Sequence, residues 1–180
     1  PNGKYAAGAD ATYKLASPLV TDNYLYGIRR FPYSTDNAVN PLTWADVDDV
    51  TFNLAGGIAA SPLSFSANGA GEVHNVGEIW CSTLWEVRSR VIADPAGANG
   101  DVPTGNITML QIVTDGMKLT PLNPSFIDAR DALIAADAAA NDSANELSIW
   151  QGFADRGLGY KAVAPYSRMA GWLAGHVSIG

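Results

Sequence analysis

The sequence predicts a mainly α-helical domain, a cluster of about four helices preceded by a long loop-rich arm. Three observations carry this expectation. From Val73 to Val91 apolar residues recur at spacings of three and four, the period of one helix face, and the pattern returns further along the chain. Before Gly69, Pro18, Gly27, Pro32, Pro41, Gly56, Gly57 and Pro62 interrupt the chain too often for any long helix. The 180 residues are 47% hydrophobic and 16% charged, enough apolar material for one core and too little charge for a disordered tail. The reading is therefore a single unit over 1–180: an arm (1–70), a helical core (71–160) and a Gly- and Ala-rich tail (161–180).

Taken in order, the arm holds one short helix, with Thr43 as N-cap, Trp44 to Val50 as its body, and Asp46 at the third position, where a carboxylate helps exposed N–H groups. A loop-rich stretch this long makes sense if it runs over another part of a protein. The first long helix presents Val73, Val76, Trp80, Leu84, Val87 and Val91 on one face and ends before Asp94-Pro95. A second helix starts near Gly105-Asn106, with Ile107, Leu110, Val113 or Thr114, and Met117 as its stripe and Pro121 as its stop. Asn123-Pro124 reads as the cap and first residue of a third helix, which runs through Phe126, Arg130, Leu133 and Asp137 to about Ala140. Ser143 and Glu146 read as a capping box for the fourth, whose core face is Leu147, Trp150, Phe153 and Ala154, with Gly157 as its left-handed cap.

Composition excludes several functions. With 11 basic and 18 acidic residues the net charge is −7, and no Lys/Arg run exists to grip nucleic acid or an anionic membrane. No apolar run approaches the roughly 20 residues of a membrane span. The single cysteine, Cys81, permits no intrachain disulfide and reads as a buried small hydrophobe. A start at Pro1-Asn2-Gly3 reads as a processed or excised fragment. The sequons at Asn106 and Asn141 are short enough to arise by chance.

Standard catalytic motifs are missing: no H-E-x-x-H, G-x-S-x-G, P-loop or G-x-G-x-x-G occurs. Of the two histidines, His176 has no partner pattern, whereas His74 falls in the first turn of the long helix, after Asn68-Gly69-Ala70-Gly71. Partial positive charge at a helix N-terminus suits a histidine there to meet a developing anion. The bland alternative is a half-buried histidine bonded to a backbone carbonyl. His74 and Glu78, four apart, could share a metal; a simple salt-linked pair fits the same spacing. Arg29 and Arg30 lie in the aromatic, proline-stiffened run Gly27 to Ser34 and could line a cleft, since guanidinium grips carbonyl or carboxylate oxygens. Their bland reading is two surface arginines, one bonded to a carboxylate such as Asp36.

Three strings carry a family likeness: GIRRFPYSTDNAVNPLTW from Gly27, GEVHNVGEIWCSTLWEV from Gly71, and the run from NITMLQIVTDGMKL at Asn106 to IWQGFADRGLGY ending at Tyr160. Together they resemble the C-terminal subdomain of the fungalysin family of zinc metallopeptidases. The resemblance implies a secreted endopeptidase of thermolysin-like, two-subdomain architecture. In such enzymes the N-terminal subdomain carries H-E-x-x-H, and a third ligand, a glutamate, follows; all lie outside this chain, which would hold no cofactor itself. The expected partners are a peptide or protein substrate and that missing zinc subdomain. His74 matches the cleft histidine that hydrogen-bonds the oxyanion of the tetrahedral intermediate. Arg29 matches the arginine that binds a substrate carbonyl on the primed side, and Ile28 the apolar residue beside it; a register shifted by one would give the role to Arg30. The carboxylate that orients the histidine in thermolysin-like enzymes has no counterpart from Phe65 to Gly71, which leaves Glu72 or Asn68. Two other readings compete: a non-catalytic interaction module that kept the fold, and an independent metal enzyme using His74, Glu78 and a further carboxylate.

Overall fold

The computed structural model describes residues 12–16, 27–47 and 73–163. Among these the regular structure is helical: α1 (Val73–Ala93), α2 (Val102–Leu119), α3 (Phe126–Asn141) and α4 (Glu146–Asp155), with one 3-10 turn at Trp44–Val47 and no β-strand. Most of the expected arm, the expected helix beyond Val47, and nearly all of the expected tail lie outside the described residues.

Helix α1 is the centre of the packing. α4 and α2 lie against it, and α3 packs on α2. Its inner surface is broader than one apolar stripe, because Asn75, Glu78, Ser82, Thr83, Glu86 and Arg88 are buried along with Ile79, Val87, Val91 and Ile92. Buried polar groups need partners. The Ser82 and Thr83 hydroxyls donate to the carbonyls of Glu78 and Ile79 one turn earlier, and Asn40 of the arm donates to Ser82 Oγ. An aromatic cluster fastens the arm to three helices: Trp44 lies 4.5 Å from Phe126, Trp80 meets Phe126 edge-on at 5.3 Å, and Phe153 of α4 sits 5.9 Å from Trp80.

Of the expected α2 stripe, Val113 packs against the core and the rest faces outward. Ile107, Leu110 and Met117 are 69%, 67% and 64% exposed, and the buried face is Gly105, Met109, Ile112 and Gly116. The reason is close approach. A Cβ on Gly105 would stand 2.4 Å from Ile92 Cγ1, and one on Gly116 would stand 2.7 Å from Leu133 Cδ1. Helix α2 is thus seated on its glycines, which let neighbouring elements come nearer than any larger residue would. It also starts a turn earlier than expected, with Pro103 in the first turn, where a missing N–H costs nothing.

Two caps differ from expectation as well. Helix α3 is capped by Ser125, not Asn123-Pro124: Ser125 Oγ accepts from Asp128 N–H, and the Asp128 carboxylate accepts from Ser125 N–H at 2.8 Å. The sequence hid this box because Asp replaces the usual Glu or Gln at its third position. Helix α4 begins at Glu146 with Asn145 as cap residue and no side-chain cap bond, and Ser143 sits in left-handed backbone at φ 60. Its core face is Ser148, Ile149, Gly152 and Phe153; Leu147 and Ala154 are exposed and Trp150 is half-buried. Again a glycine sets the face, since a Cβ on Gly152 would lie 2.5 Å from Val87 Cα. Gly157 takes the expected left-handed conformation, φ 81. Cys81, expected to be buried, is exposed on α1.

The end of α4 holds the arm down. Arg156 is fully buried and donates to the carbonyls of Asn40, Leu42 and Ser34, while its Nε reaches Glu86 Oε2 at 3.3 Å. In return, the Trp44 N–H donates to the Arg156 carbonyl at 2.8 Å.

Candidate functional site

The site residues expected from the sequence come from two elements, the loop after Gly27 and the first turn of α1. The loop is set by local pairing. Tyr13 and Tyr33 exchange backbone hydrogen bonds of 2.8 Å in an antiparallel bridge, and the Ile28 N–H donates to the Leu15 carbonyl at 3.0 Å. Gly27 is required at its position: it has φ 73, and a Cβ there would meet Leu15 O at 2.0 Å.

Arg29 and Arg30 then separate. Arg30 is 1% exposed and points onto α1, where Nε donates to Glu78 Oε2 at 2.9 Å and Nη2 to the Asn75 carbonyl at 3.0 Å. The other Glu78 oxygen accepts from Phe31 N–H at 2.8 Å. This buried, charge-assisted pair ties Arg30 into the fold; removing one partner of such a pair costs about 3–5 kcal/mol. The carboxylate that binds it is Glu78, not Asp36, whose Oδ1 accepts from Ala38 N–H. Arg29 is only half-buried. It hydrogen-bonds the Tyr33 hydroxyl, and its buried Nε has no protein partner. Burial pushes the Tyr33 hydroxyl pKa well up, with Cys81 adding to the rise and Arg29 opposing it. Burial likewise raises the Cys81 thiol although the residue as a whole is exposed: the sulfur faces Tyr33, while the rest of the residue meets solvent. Both groups stay protonated at neutral pH, and the charges acting on them are the Arg29 guanidinium and the Glu78 carboxylate. Ile28 is half-buried.

His74 is exposed on the first turn of α1. Its suggested metal partner is committed elsewhere, because both Glu78 oxygens serve the arm. Among the described residues no group of three His, Cys, Asp or Glu side chains could hold a metal ion. Among the described residues the independent metal enzyme built on His74 and Glu78 finds no third ligand. The possible orienting partners Glu72 and Asn68 lie outside the described residues.

Two concavities flank this corner. One, of about 250 Å³, lies beside the turn after His74 and is lined by Gly77, Trp80, Pro124, Ser125, Phe126 and Ala129. The other, of about 290 Å³, is an apolar groove between α1, α2 and the arm, lined by Tyr13, Tyr33, Cys81, Leu84, Trp85, Arg88, Met109, Leu110 and Val113. Tyr13 stacks on Trp85 at 5.7 Å, and the Arg88 guanidinium lies 4.4 Å above the same ring. The sequence did not show either hollow. Their walls join residues far apart in the chain, and the one available signal was an α2 stripe too wide for its buried face.

The mainly helical architecture of the described residues is the one that the resemblance implied. The sequence profile of the fungalysin metallopeptidases (M36) matches residues 6–162, and the chain belongs to that family. It is 43% identical over 145 residues to an extracellular metalloproteinase of Aspergillus terreus, covering 76% of this chain and 20% of that one. An extracellular metalloproteinase of Pyrenophora tritici-repentis is 40% identical over 148 residues, 77% of this chain and 19% of the relative. A probable extracellular metalloproteinase 1 of Arthroderma benhamiae is 38% identical over 144 residues, 76% and 20%. The chain thus spans about a fifth of the length of the curated relatives it matches.

Proposed function

We propose that these 180 residues form one wall of the substrate cleft in a secreted zinc metalloendopeptidase. The observation that carries this reading is the division of labour between the two arginines, within a chain of this family. Arg30 is fully buried and commits Nε and Nη2 to α1, while Arg29 beside it is half-buried, touches Tyr33, and makes no such bond to the helix. In this reading Arg29 binds a substrate carbonyl on the primed side, with Ile28 beside it as an apolar contact. His74 donates a hydrogen bond to the carbonyl oxygen as it becomes an oxyanion. The relatives are named extracellular, and the parent protein is placed outside the cell on that account.

The described residues do not fit a zinc ion, since they offer no set of three ligands. Zinc and the general base therefore belong, in this reading, to a part of the parent protein beyond these residues, and the 180 residues alone do not cleave peptides. What they supply is selective for the transition state. The carbonyl oxygen carries full negative charge only near the tetrahedral intermediate, so a donor aimed there lowers the barrier more than it tightens substrate binding.

Kinetics on one peptide substrate with the zinc-loaded parent enzyme test the reading. His74→Ala is expected to lower kcat by about 100- to 1,000-fold with little change in KM. Arg29→Ala is expected to raise KM along with a fall in kcat, because its carbonyl is already bound in the ground state. Near-normal kcat for His74→Ala with zinc fully bound would reduce His74 to a structural residue at a helix start.

A further inference from the structure

We infer that Arg30 and Glu78 act as a positioning clamp that sets Arg29 relative to His74, an inference that rests on the reading of those two residues given above. The clamp ties two points, each one residue from a candidate substrate contact. On the loop side Arg30 directly follows Arg29. On the helix side the guanidinium takes the carbonyl of Asn75, which directly follows His74, and the carboxylate one turn further on. Phe31 N–H closes the figure on the second carboxylate oxygen. Three bonds from two consecutive loop residues to the first turns of α1 fix orientation as well as distance, because the guanidinium fork and the carboxylate are both planar.

Stability alone is a poor account of this arrangement. Arg30 and Glu78 are both 1% exposed, and a buried ion pair is often no more stable than the apolar residues that could replace it. What apolar contact would not supply is register: it would let the loop slide along α1. Arg30 reaches inward to the helix while Arg29 turns to Tyr33, so the inward grip of one arginine determines where the other is held. The clamp spans 48 residues of chain, which joins the loop to the helix independently of the segment between them.

The test uses the full-length, zinc-loaded parent enzyme carrying Arg30→Met together with Glu78→Gln, whose amide oxygen can still accept from Phe31. A misplacement near 1 Å is worth up to about 100-fold, so kcat/KM per zinc-loaded molecule is expected to fall roughly 10- to 100-fold. Placed in a His74→Ala, Arg29→Ala background, the same pair should cost less than about threefold, because the groups it positions are gone. An unchanged kcat/KM at full zinc occupancy overturns the inference and leaves the pair as packing. An equal loss in both backgrounds overturns it too, since the pair would then act elsewhere. If the double variant does not fold, Arg30→Lys replaces it: the charge stays, the two-acceptor span is lost, and the same contrast between backgrounds decides. When His74→Ala and Arg29→Ala are themselves silent, the site reading fails; when they are costly and the pair is not, the clamp alone fails.

Discussion

Replacing Gly152 by Ala should destabilise the protein, although alanine is the better helix former. In an open helix interior the change gains about 1 kcal/mol. Here the new methyl would lie 2.5 Å from Val87 Cα, 2.7 Å from Val87 N and 2.9 Å from Val87 Cγ2. The first two are backbone atoms in the middle of α1, which cannot rotate aside, so α4 must back away from the helix that forms the centre of the core. Overpacking of this kind costs about 1–3 kcal/mol, and the rigid obstacle places this site at the upper end. Net of the propensity gain, a loss of about 1–2 kcal/mol is expected. Gly77→Ala is the internal control, because nothing lies within 4 Å of its Cβ position, and it should gain about 1 kcal/mol. Urea unfolding of both variants measures the contrast. A Gly152→Ala protein as stable as the parent would refute the close seating of α4 on α1.

Arg156→Met should cost about 3–5 kcal/mol in the same assay, since it strands three arm carbonyls and the Glu86 carboxylate. Asp128 contributes to stability at neutral pH: hydrogen bonds from Ser125 hold its pKa below the ordinary 3.8, so its contribution is present above that value and is lost as pH falls through the lower folded-state value. Asp128→Asn should therefore matter near pH 7 and be silent in strong acid. Burial raises the pKa of Asp46 and Glu86, which work the other way, favouring the fold below their ordinary values and losing that effect as pH rises. The exposed apolar side of α2, with Leu110 and Met117, predicts self-association in a light-scattering concentration series, and Leu110→Glu with Met117→Lys should weaken it.

The helices and their C-terminal ends were legible because periodicity is a local property, whereas the starts of α2, α3 and α4 were not. Val73 to Ala93 could be read almost to the residue, and so could the left-handed Gly157. Which face of α2 and α4 is buried was not legible, because the rule that large apolar residues point inward fails where Gly105, Gly116 and Gly152 make the contact. For the site, the pattern Gly27 to Ser34 identified the loop, yet nothing local could say which arginine is spent on the fold. That depended on Glu78, 48 residues away. The spacing that paired Glu78 with His74 gave no sign of this longer-range partner.

The grip of Arg156 on the arm has a consequence for synthesis. The carbonyls of Ser34, Asn40 and Leu42 wait for a side chain encoded 114 to 122 residues later. On a ribosome that delay is on the order of ten seconds, during which Phe31, Leu42 and Trp44 have emerged but their helical floor has not. The arm must pass that interval without its final partners, exposed to whatever else binds apolar chain. Its frequent prolines are suited to the wait, because they keep the segment out of both helix and sheet until α4 is complete.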